Sequence, residues 1–530
     1  MFYIDWSSVF VHPVAVAQQQ VCGLGQARPV SSHITGRQGI LPAGDISAQR
    51  FPPLCFRPHR AMGNAESAVV HKRLVRFRPH ERPVIEGLFD RLHSASSSCS
   101  SASSGKIPAG KVLLLETLKV TMGKMASDLM IRRVFEGMCS VDPGVSLPPG
   151  GGASREQLVI FLADTLRGTA EERAPLVMAM AHGTKETASP DQIRGFLEDL
   201  IAAVVQILTH RGRLRGWRPD RMGDGDQGVK LLAEQLSSEL KPSAQNTCDV
   251  ACLEDWLFRV SGVATFLELL IGEGLEVGLT SCPSPILLPQ CRDAPWSELR
   301  CLLDLPLLMF LSPQLPAGYR AQWRLLFSTN IHGESFTRLV GNCKSGGPTV
   351  LLVKDTKGHI FGGFVSHSWE IKPQFQGDSR CFLFSVFPSM HIYTSTGYNQ
   401  HYMYLNQGQQ TMPNGLGMGG QHGYFGLWLD YDFGRGHSRA RPRCTTYGSP
   451  QLSGDEDFTV DTVEVWGVGL PPEEQEQDEN KRSILDMDPE KSRGSSGPAN
   501  RRTVFRCERV FLRRGQSTKF STGATLRSLG

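Results

Sequence analysis

Hydrophobic positions recur at helical spacing through the first half of the chain. In S-P-D-Q-I-R-G-F-L-E-D-L-I-A-A-V-V-Q-I-L the apolar residues share one broad face, and Ser189 and Pro190 stand where a helix cap and a first turn belong. Ser154 and Gln157 have the spacing of a capping box before a second such stretch. These patterns predict a helical region over residues 62–300 whose apolar faces pack against one another.

From about residue 312 the pattern changes to short runs of β-branched and aromatic residues separated by glycine-containing turns. T-V-L-L-V-K-D-T-K-G-H-I-F-G-G-F-V predicts two strands around a turn at 355–358. C-F-L-F-S-V-F-P, Y-F-G-L-W-L-D-Y-D-F and F-T-V-D-T-V-E-V-W-G-V-G follow at spacings typical of a packed pair of antiparallel sheets. We therefore predict an α+β multidomain chain with a β-rich domain over residues 301–470.

The two ends of the chain lack these periods. Residues 1–61 are rich in Pro, Gly, Ser, Gln and Arg, which predicts a disordered leader or a translated upstream region, with a transit peptide as a less favoured alternative. Residues 471–530 join the acidic run E-E-Q-E-Q-D-E-N to a basic tail. The last 30 residues of this tail carry eight Lys and Arg against one Glu.

Length, charge and cysteine content narrow the class of protein. A chain of 530 residues is long enough for two or three domains, and a formal net charge of +4 does not by itself require nucleic acid. The 13 cysteines form no C-x-x-C pair, which favours a reduced cytosolic chain. The apolar run at 301–311 contains Asp304 and Pro306 and is too short for a membrane span, so we expect it in the core.

Candidate chemistry is weak in this sequence. The loop from Asp224 supplies carboxylates at only two of the calcium-binding positions, so we expect no tight Ca²⁺ site. G-L-G-M-G-G at 415–420 lacks the flanking strand and helix of a dinucleotide site and is interpreted as a glycine turn. Metal-ligand spacings and a nucleophile elbow are also absent from the sequence. We predict no catalytic residue, no metal and no cofactor.

The stretch M-G-N-A-E-S matches the pattern that an N-myristoyltransferase accepts after removal of the initiator methionine. Gly63 is a lipid acceptor if translation begins at Met62 and chemically inert if it begins at Met1. Basic residues follow closely and are expected to contact an anionic membrane as a second signal. They are His71, Lys72, Arg73, Arg76 and Arg78.

Seven blocks of the β-rich half resemble the TLDc domain family. They are L-L-F-S-T-N-I-H-G-E-S-F-T-R-L, G-H-I-F-G-G-F, S-W-E-I-K-P-Q-F-Q-G-D, C-F-L-F-S-V-F-P, P-N-G-L-G-M-G-G, F-G-L-W-L-D and V-E-V-W-G-V-G. The resemblance implies a β-sandwich flanked by helices, after an EF-hand-like helical region that requires no metal. The residues that match the family's structural motifs are Glu334, Phe336, Gly362, Gly363, Trp369, Asn414, Gly415, Gly417, Gly420, Gly426, Trp428, Glu464 and Trp466.

The resemblance is to lysosomal TLDc proteins in particular, and it implies a function as well as a fold. It implies a non-enzymatic adaptor of mTOR signalling that promotes nutrient- and insulin-responsive translation, growth and migration. The implied partners are mTOR with its associated signalling proteins, V-ATPase subunits, and the cytosolic face of the lysosomal membrane through the lipid on Gly63. No nucleic acid and no small-molecule ligand are expected. It also favours Met62 as the start.

Three points remain open at this stage. The resembling proteins end in an acidic helix-forming segment that is thought to insert into the pump, so the basic tail of this chain predicts weak pump binding. The alternative function is an oxidation-resistance protein with antioxidant activity, using a TLDc cysteine or the pair Glu334 and Glu464. A third hypothesis, in which the basic tail binds nucleic acid, predicts salt-dependent RNA affinity.

Overall fold

The computed structural model describes residues 64–97, 112–142, 151–183, 185–279 and 285–471. The predictions for the leader 1–61, for the lipid acceptor Gly63 and for the acidic linker and basic tail after residue 471 lie outside the described residues.

Helices fill the described part of the chain up to residue 274. The predicted capping box forms at Ser154, whose hydroxyl accepts the N–H of Gln157 while the Gln157 side chain accepts the N–H of Ser154. Ser189, predicted as a helix cap, also forms a capping box, with Gln192. The helices are α1 (Asn64–Leu74), α2 (Arg82–Ser97), α3 (Leu115–Met122), α4 (Asp128–Cys139), α5 (Arg155–Arg167), α6 (Ala170–His182), α7 (Pro190–His210), α8 (Gly225–Ser237), α9 (Val250–Arg259) and α10 (Gly262–Gly274).

Strands dominate the described residues after 285, with three short helices among them. The strands are β1 (Gln290–Arg292), β2 (Gln322–Ser328), β3 (Thr349–Asp355), β4 (Ile360–Val365), β5 (Lys372–Gln376), β6 (Phe382–Phe387), β7 (His391–Thr394), β8 (Met403–Asn406), β9 (Gly415–Gln421), β10 (Tyr424–Asp430), β11 (Arg435–His437) and β12 (Asp457–Val468). The helices are α11 (Leu305–Leu311), α12 (Thr329–His332) and α13 (Phe336–Cys343).

The strands form two sheets that share β12. The first sheet has the order β1-β2-β12-β3-β4-β6-β7, and the second has the order β5-β8-β9-β10-β11-β12. The pairs are antiparallel except for β1 with β2. The predicted hairpin of β3 and β4 is present, and its turn is closed by the Gly358 N–H donating to the carbonyl of Asp355 at 3.0 Å. The predicted α+β fold with paired antiparallel sheets is confirmed.

Side chains sort into layers according to the sheet face they occupy. Val350 and Leu352 of β3 belong to one hydrophobic core with the helices, whereas Leu351 and Val353 of the same strand pack toward the second sheet. This is the two-residue period of a strand that is buried on both faces. The helical region and the first sheet therefore share a core, and the second sheet closes the sandwich from the other side.

Four tryptophans mark the junction between the helical region and the first sheet. Trp217, which follows α7, lies 5.2 Å from Trp466 of β12 and 6.2 Å from Trp323 of β2, measured between ring centroids. Trp296 packs on Trp217 at 6.0 Å. Because aromatic rings bury large apolar areas, this contact stabilises the docking of the helices on the sheet.

The interpretation of G-L-G-M-G-G as a glycine turn is wrong. These residues form β9, which pairs with β8 on one side and with β10 on the other. Gly363 of β4 is a second glycine inside a strand. A Cβ at this position would collide with the Met418 side chain of the opposite sheet. In this sandwich glycines sit inside strands wherever bulky neighbours need the space.

The apolar run at 301–311 lies in the core, as predicted. It forms α11, whose residues are buried, and the Asp304 carboxylate caps it by accepting the N–H of Leu307 at 2.7 Å. Among the described residues, no helix has the length and apolar character to span a membrane.

Candidate functional site

The outer face of the second sheet carries a cluster of rings, which we call the aromatic face: Phe375, His401, Tyr404, His422, Phe425, Trp428 and His437. Phe425 stacks on Trp428 with centroids 4.5 Å apart and an interplanar angle of 19°. Phe375 stacks on His401 at 4.0 Å and on His422 at 5.1 Å. The buried members Tyr404, Phe425 and Trp428 form a small core separate from the two larger ones.

Gly417 makes this packing possible. It lies in β9 opposite Trp428 of β10. A Cβ at this position would approach a ring carbon of Phe425 to 2.7 Å and one of Trp428 to 2.8 Å, closer than van der Waals contact allows. The glycine therefore lets the two rings lie flat on the strand. The glycine-rich motif of β9 leaves space in which these aromatic side chains pack.

A cleft of about 390 Å³ opens beside Trp428. Its lining residues are Pro413, Asn414, Gly423, Phe425, Trp428, Asp430, Tyr431, His437 and Arg439. The indole Nε1 of Trp428 donates to Asp430 Oδ1 at 2.6 Å, and Arg439 is held on the wall by Asp457 at 2.7 Å. Tyr431 and the neighbouring Tyr424 are exposed. The cleft combines aromatic walls with a carboxylate.

His437 contributes an unsatisfied polar atom to this cleft. The residue is only 9% exposed, and its buried Nε2 has no hydrogen-bond partner. Burial, assisted by the positive charge of Arg439, lowers the pKa of His437 to about 4. The ring is therefore neutral near pH 7, and its Nε2 keeps the capacity for one hydrogen bond.

The remaining motif residues from the TLDc resemblance are spread over the sandwich. Glu334 is exposed just before α13, whereas Phe336 is buried at its start. Trp369 is buried and donates from Nε1 to Thr349 Oγ1 at 3.0 Å. Asn414 folds its loop through hydrogen bonds to the backbone of Gln409. The glycines lie in strands: Gly362 and Gly363 in β4, Gly415, Gly417 and Gly420 in β9, and Gly426 in β10.

Glu464 lies far inside the protein, at the junction of the helical region and the sheet. Its carboxyl group accepts the N–H of Leu302 at 2.9 Å, the indole Nε1–H of Trp466 at 3.1 Å and the thiol of Cys301 at 3.3 Å. The side chain is fully buried. These contacts fix the segment that leads from the helical region into α11. Glu464 is thus a structural clamp, and Glu334, exposed on the surface, has a different environment.

Two buried carboxyl groups at this junction predict how stability depends on pH. Burial raises the pKa of Glu464 and of Asp304 to about 7. The folded state therefore binds these protons more tightly than the unfolded state. The stability they give is fully present below the unfolded pKa, near 4, and is lost as the pH rises through 7.

We expect the free energy of unfolding to fall by about 2 kcal/mol per group between about pH 5 and about pH 8. Urea unfolding of the whole chain across this range is the measurement. The Glu464→Gln variant, which cannot titrate, should show a shallower decline. A stability that rises over this interval in the wild type would contradict the assignment of raised pKa values.

A Ser, a His and an Asp meet at one place without forming a catalytic triad. Ser366 Oγ lies 2.9 Å from His367 Nδ1 and 2.9 Å from Asp378 Oδ1, so the serine stands between the other two. A nucleophilic triad needs the imidazole in the middle. Although burial raises the pKa of Asp378, hydrogen bonds from Arg380 and Ser366 lower it to about 2. These hydrogen-bonded side chains stabilise the local loop structure around Asp378.

Thiol chemistry is disfavoured by the environments of the cysteines in the β-rich half. Cys343, Cys381 and Cys444 are buried, and burial raises the pKa of each, to about 12 for Cys343. A reactive cysteine needs the thiolate and access to solvent. Because these three thiols are protonated and covered, none of them is an activated nucleophile for peroxide.

Calcium and other metal sites can be tested in the same way. The carboxylate of Asp224 caps α8 by accepting the N–H groups of Asp226 and Gln227 at 3.0 and 3.3 Å. Within the ranges the structure covers, no group of three or more His, Cys, Asp or Glu could hold a metal ion. The candidate calcium loop is a helix start.

The basic cluster behind Gly63 needs a correction. Arg73 and Arg76 do not face outward, because they form ion pairs with Asp164 of α5 at 2.7 and 3.1 Å, and Arg76 also pairs with Glu172 of α6. A hydrogen bond from Arg76 lowers the pKa of Glu172 to about 2. These two arginines hold α1 on the helical region, so His71, Lys72 and Arg78 are the exposed basic residues there.

Comparison with known proteins agrees with this architecture. The profile of the TLDc domain matches residues 297–469, so the chain is a TLDc-domain protein. The mTOR-associated protein MEAK7 of Danio rerio is 73% identical over 428 residues, which cover 81% of this chain and 94% of that protein. The Homo sapiens protein of the same name is 44% identical over 440 residues, covering 81% and 95%. The chain belongs to the family of the mTOR-associated protein MEAK7.

A second relative matches a smaller part of the chain. Nuclear receptor coactivator 7 of Gallus gallus is 34% identical over 158 residues, which cover 29% of this chain and 16% of that protein. The MEAK7 matches, at 81% of this chain, are much more extensive.

Sequence reasoning named Asn414 and Trp428 of the cleft lining but missed its other polar residues. Asp430, Tyr431, His437 and Arg439 follow no motif spacing, and they meet because β10 pairs with β11. One signal was available: L-W-L-D-Y-D-F ends a buried strand in polar and aromatic residues, which is typical of a strand that reaches the surface.

Proposed function

We propose that this chain is a non-enzymatic, membrane-associated adaptor of mTOR signalling at the cytosolic face of the lysosome, and that its TLDc domain binds the V-ATPase. The names of its relatives support the link to mTOR. The TLDc resemblance supplies the pump as the second partner, and with it a role in nutrient- and insulin-responsive translation, growth and migration.

The observation that carries the adaptor function is the asymmetry of the sandwich. One face of the first sheet is buried against the helices, and the aromatic face of the second sheet lies on the opposite side. The exposed Tyr431 lines the cleft on that side, and Tyr424 of β10 is exposed as well. Aromatic residues around a partly buried pocket are typical of protein-binding surfaces. We therefore assign docking to the second sheet.

Membrane association would come from a lipid on Gly63. The glycine directly precedes α1, which the ion pairs of Arg73 and Arg76 hold to α5 and α6. A lipid at this place would tether the folded protein through a short, anchored helix. A single myristoyl chain binds membranes with a constant of only about 10⁴ M⁻¹, so docking to a membrane protein such as the pump would complete the attachment.

We expect Gly63→Ala, in a chain whose translation begins at Met62, to move the protein from the membrane fraction to the cytosol. The reason is that N-myristoyltransferase requires glycine at the new N-terminus, so the alanine variant is not acylated. Fractionation of cells with blotting of both fractions measures this. Gly87→Ala is the matched control, since a Cβ at Gly87 meets nothing within 4 Å. Unchanged membrane content of the Gly63→Ala protein would refute the anchor.

The pump contact is tested by binding alone. Immobilised full-length chain should retain V-ATPase subunits from solubilised lysosomal membranes without any added nucleotide or cofactor. The full chain is needed, because the first sheet shares its core with the helices, and residues 312–470 alone would expose Val350, Leu352 and Trp466 to water.

A further inference from the structure

The cleft beside Trp428 contains two polar groups, an imidazole and a carboxylate, that could form more hydrogen bonds than the protein itself provides. His437 Nε2 is buried and has no hydrogen-bond partner. Asp430 accepts one hydrogen bond, from the Trp428 indole, and has no ion-pair partner among the described residues. A carboxylate can accept up to about four hydrogen bonds. A ligand that donates hydrogen bonds would satisfy the Asp430 carboxylate, and also His437 Nε2 when the imidazole proton is on Nδ1.

We propose that this cleft binds an arginine side chain presented by an extended segment of a partner protein. The planar guanidinium group can stack on the exposed phenol ring of Tyr431 while its N–H groups reach the Asp430 carboxylate at the base of the Trp428 indole. Its five donors lie in one plane, which suits acceptors on the wall and at the rim of a flat, aromatic cleft.

The charges of the lining residues favour a cation over an anion. Arg439 is the basic residue of the lining, but it is already occupied: it donates to Asp457 at 2.7 Å and to the Gly423 carbonyl at 3.0 Å. The imidazole of His437 is neutral near pH 7 and does not repel a cation. The free charge that a ligand meets is therefore the carboxylate of Asp430.

The size of the cleft limits the ligand. About 390 Å³ lies at the lower end of the range of roughly 300–1,000 Å³ for small-molecule sites. It accommodates one long side chain with its flanking backbone, and not a folded domain. An apolar side chain would fit by shape but would leave His437 Nε2 unsatisfied and would desolvate Asp430, which is unfavourable.

This inference rests on the proposed adaptor function, since it names the chemistry that one docking site recognises. The two can fail separately. Capture of the V-ATPase without arginine binding would remove the cleft from the account and leave the adaptor function in place.

The indole N–H of Trp428 is a direct probe, because its acceptor is the carboxylate that is expected to bind arginine. The chain has eight tryptophans, so an ¹H–¹⁵N spectrum of the deuterated full-length protein contains few indole signals. Trp428→Phe identifies the relevant one. The ligand is the blocked tripeptide acetyl-Gly-Arg-Gly-amide, added up to tens of millimolar, with the citrulline and lysine tripeptides as comparisons.

We expect the arginine peptide to shift the Trp428 signal saturably, with millimolar affinity, and the uncharged citrulline peptide to bind about tenfold more weakly. Asp430→Asn should weaken arginine binding about tenfold, since a charge-assisted contact is lost while the indole keeps an acceptor. Asp432→Asn makes the same charge change at an exposed neighbour outside the lining and should leave the affinity unchanged.

Several results would overturn the proposal. They are a Trp428 signal that does not respond to arginine, equal binding of the citrulline peptide, and equal loss of affinity in the two asparagine variants. Lysine binding as tight as arginine binding would also overturn it, because a simple cation site would then explain the cleft without the planar group.

Discussion

Replacing Glu464 by alanine is expected to lower the free energy of unfolding by about 3 kcal/mol near pH 6. The substitution removes the acceptor for the Leu302 N–H and for the Trp466 indole, and it leaves both donors unsatisfied in the core. It also opens a cavity beside Cys301, which adds to the loss. Chemical unfolding followed by tryptophan fluorescence measures the effect, since Trp466 itself lies at the site.

The control for this prediction is Glu334→Ala. Glu334 is exposed, so its removal should change the free energy of unfolding by less than about 0.5 kcal/mol. If the two alanine variants unfolded alike, the junction around Glu464 would not be the clamp described here. The contrast also separates two glutamates that the sequence alone presents as a possible pair.

The second large effect is expected for Gly417→Val, which should destabilise the β-rich half by about 3 kcal/mol or prevent its folding. The valine side chain would need the space that the rings of Phe425 and Trp428 occupy. Rigid rings cannot yield as a flexible chain does, so overpacking displaces the strand or the aromatic face. Thermal unfolding of the purified variant measures the loss.

Gly434→Val provides the comparison, because a Cβ at Gly434 meets nothing within 4 Å. Its melting temperature should stay within a few degrees of the wild type. A Gly417→Val protein that melts like the wild type but no longer binds its partner would show that this strand is a contact surface, and would contradict the packing role assigned to Gly417.

The elements that sequence predicted well depend on local interactions. The capping box of Ser154 with Gln157 and the helix cap at Ser189 join residues three positions apart and need nothing from the rest of the chain. The turn closed by Gly358 is equally local. The TLDc blocks indicated which family the β-rich half resembles, and the family match extends over nearly the whole of that half.

The features that sequence reasoning missed depend on distant partners. The sequence of β9 is interpreted as a turn because it lacks the flanking strand and helix of a dinucleotide site, and its role appears only when Phe425 and Trp428 of the next strand are placed beside Gly417. Arg73 was assigned to a membrane surface, although it pairs with Asp164, some 90 residues further along the chain. No spacing rule connects such residues.

The aromatic cleft illustrates the same limit for function. Trp428 was named from the family motif, but His437 and Asp430 acquire their meaning from the pairing of β10 with β11 and from the burial that follows. A single sequence contains no signal for an unsatisfied imidazole nitrogen. The structure therefore adds the geometry and chemistry of this cleft to a fold and a family that the sequence indicated.

Binding of the purified full-length chain to purified V-ATPase tests the central claim most directly. With the chain immobilised and the pump in solution, surface plasmon resonance should show saturable binding with fast dissociation, in the absence of other proteins and without consumption of any substrate. Binding should be competed by free chain. If the folded, full-length protein showed no saturable binding to the intact pump, the proposed docking function of the TLDc domain would be contradicted.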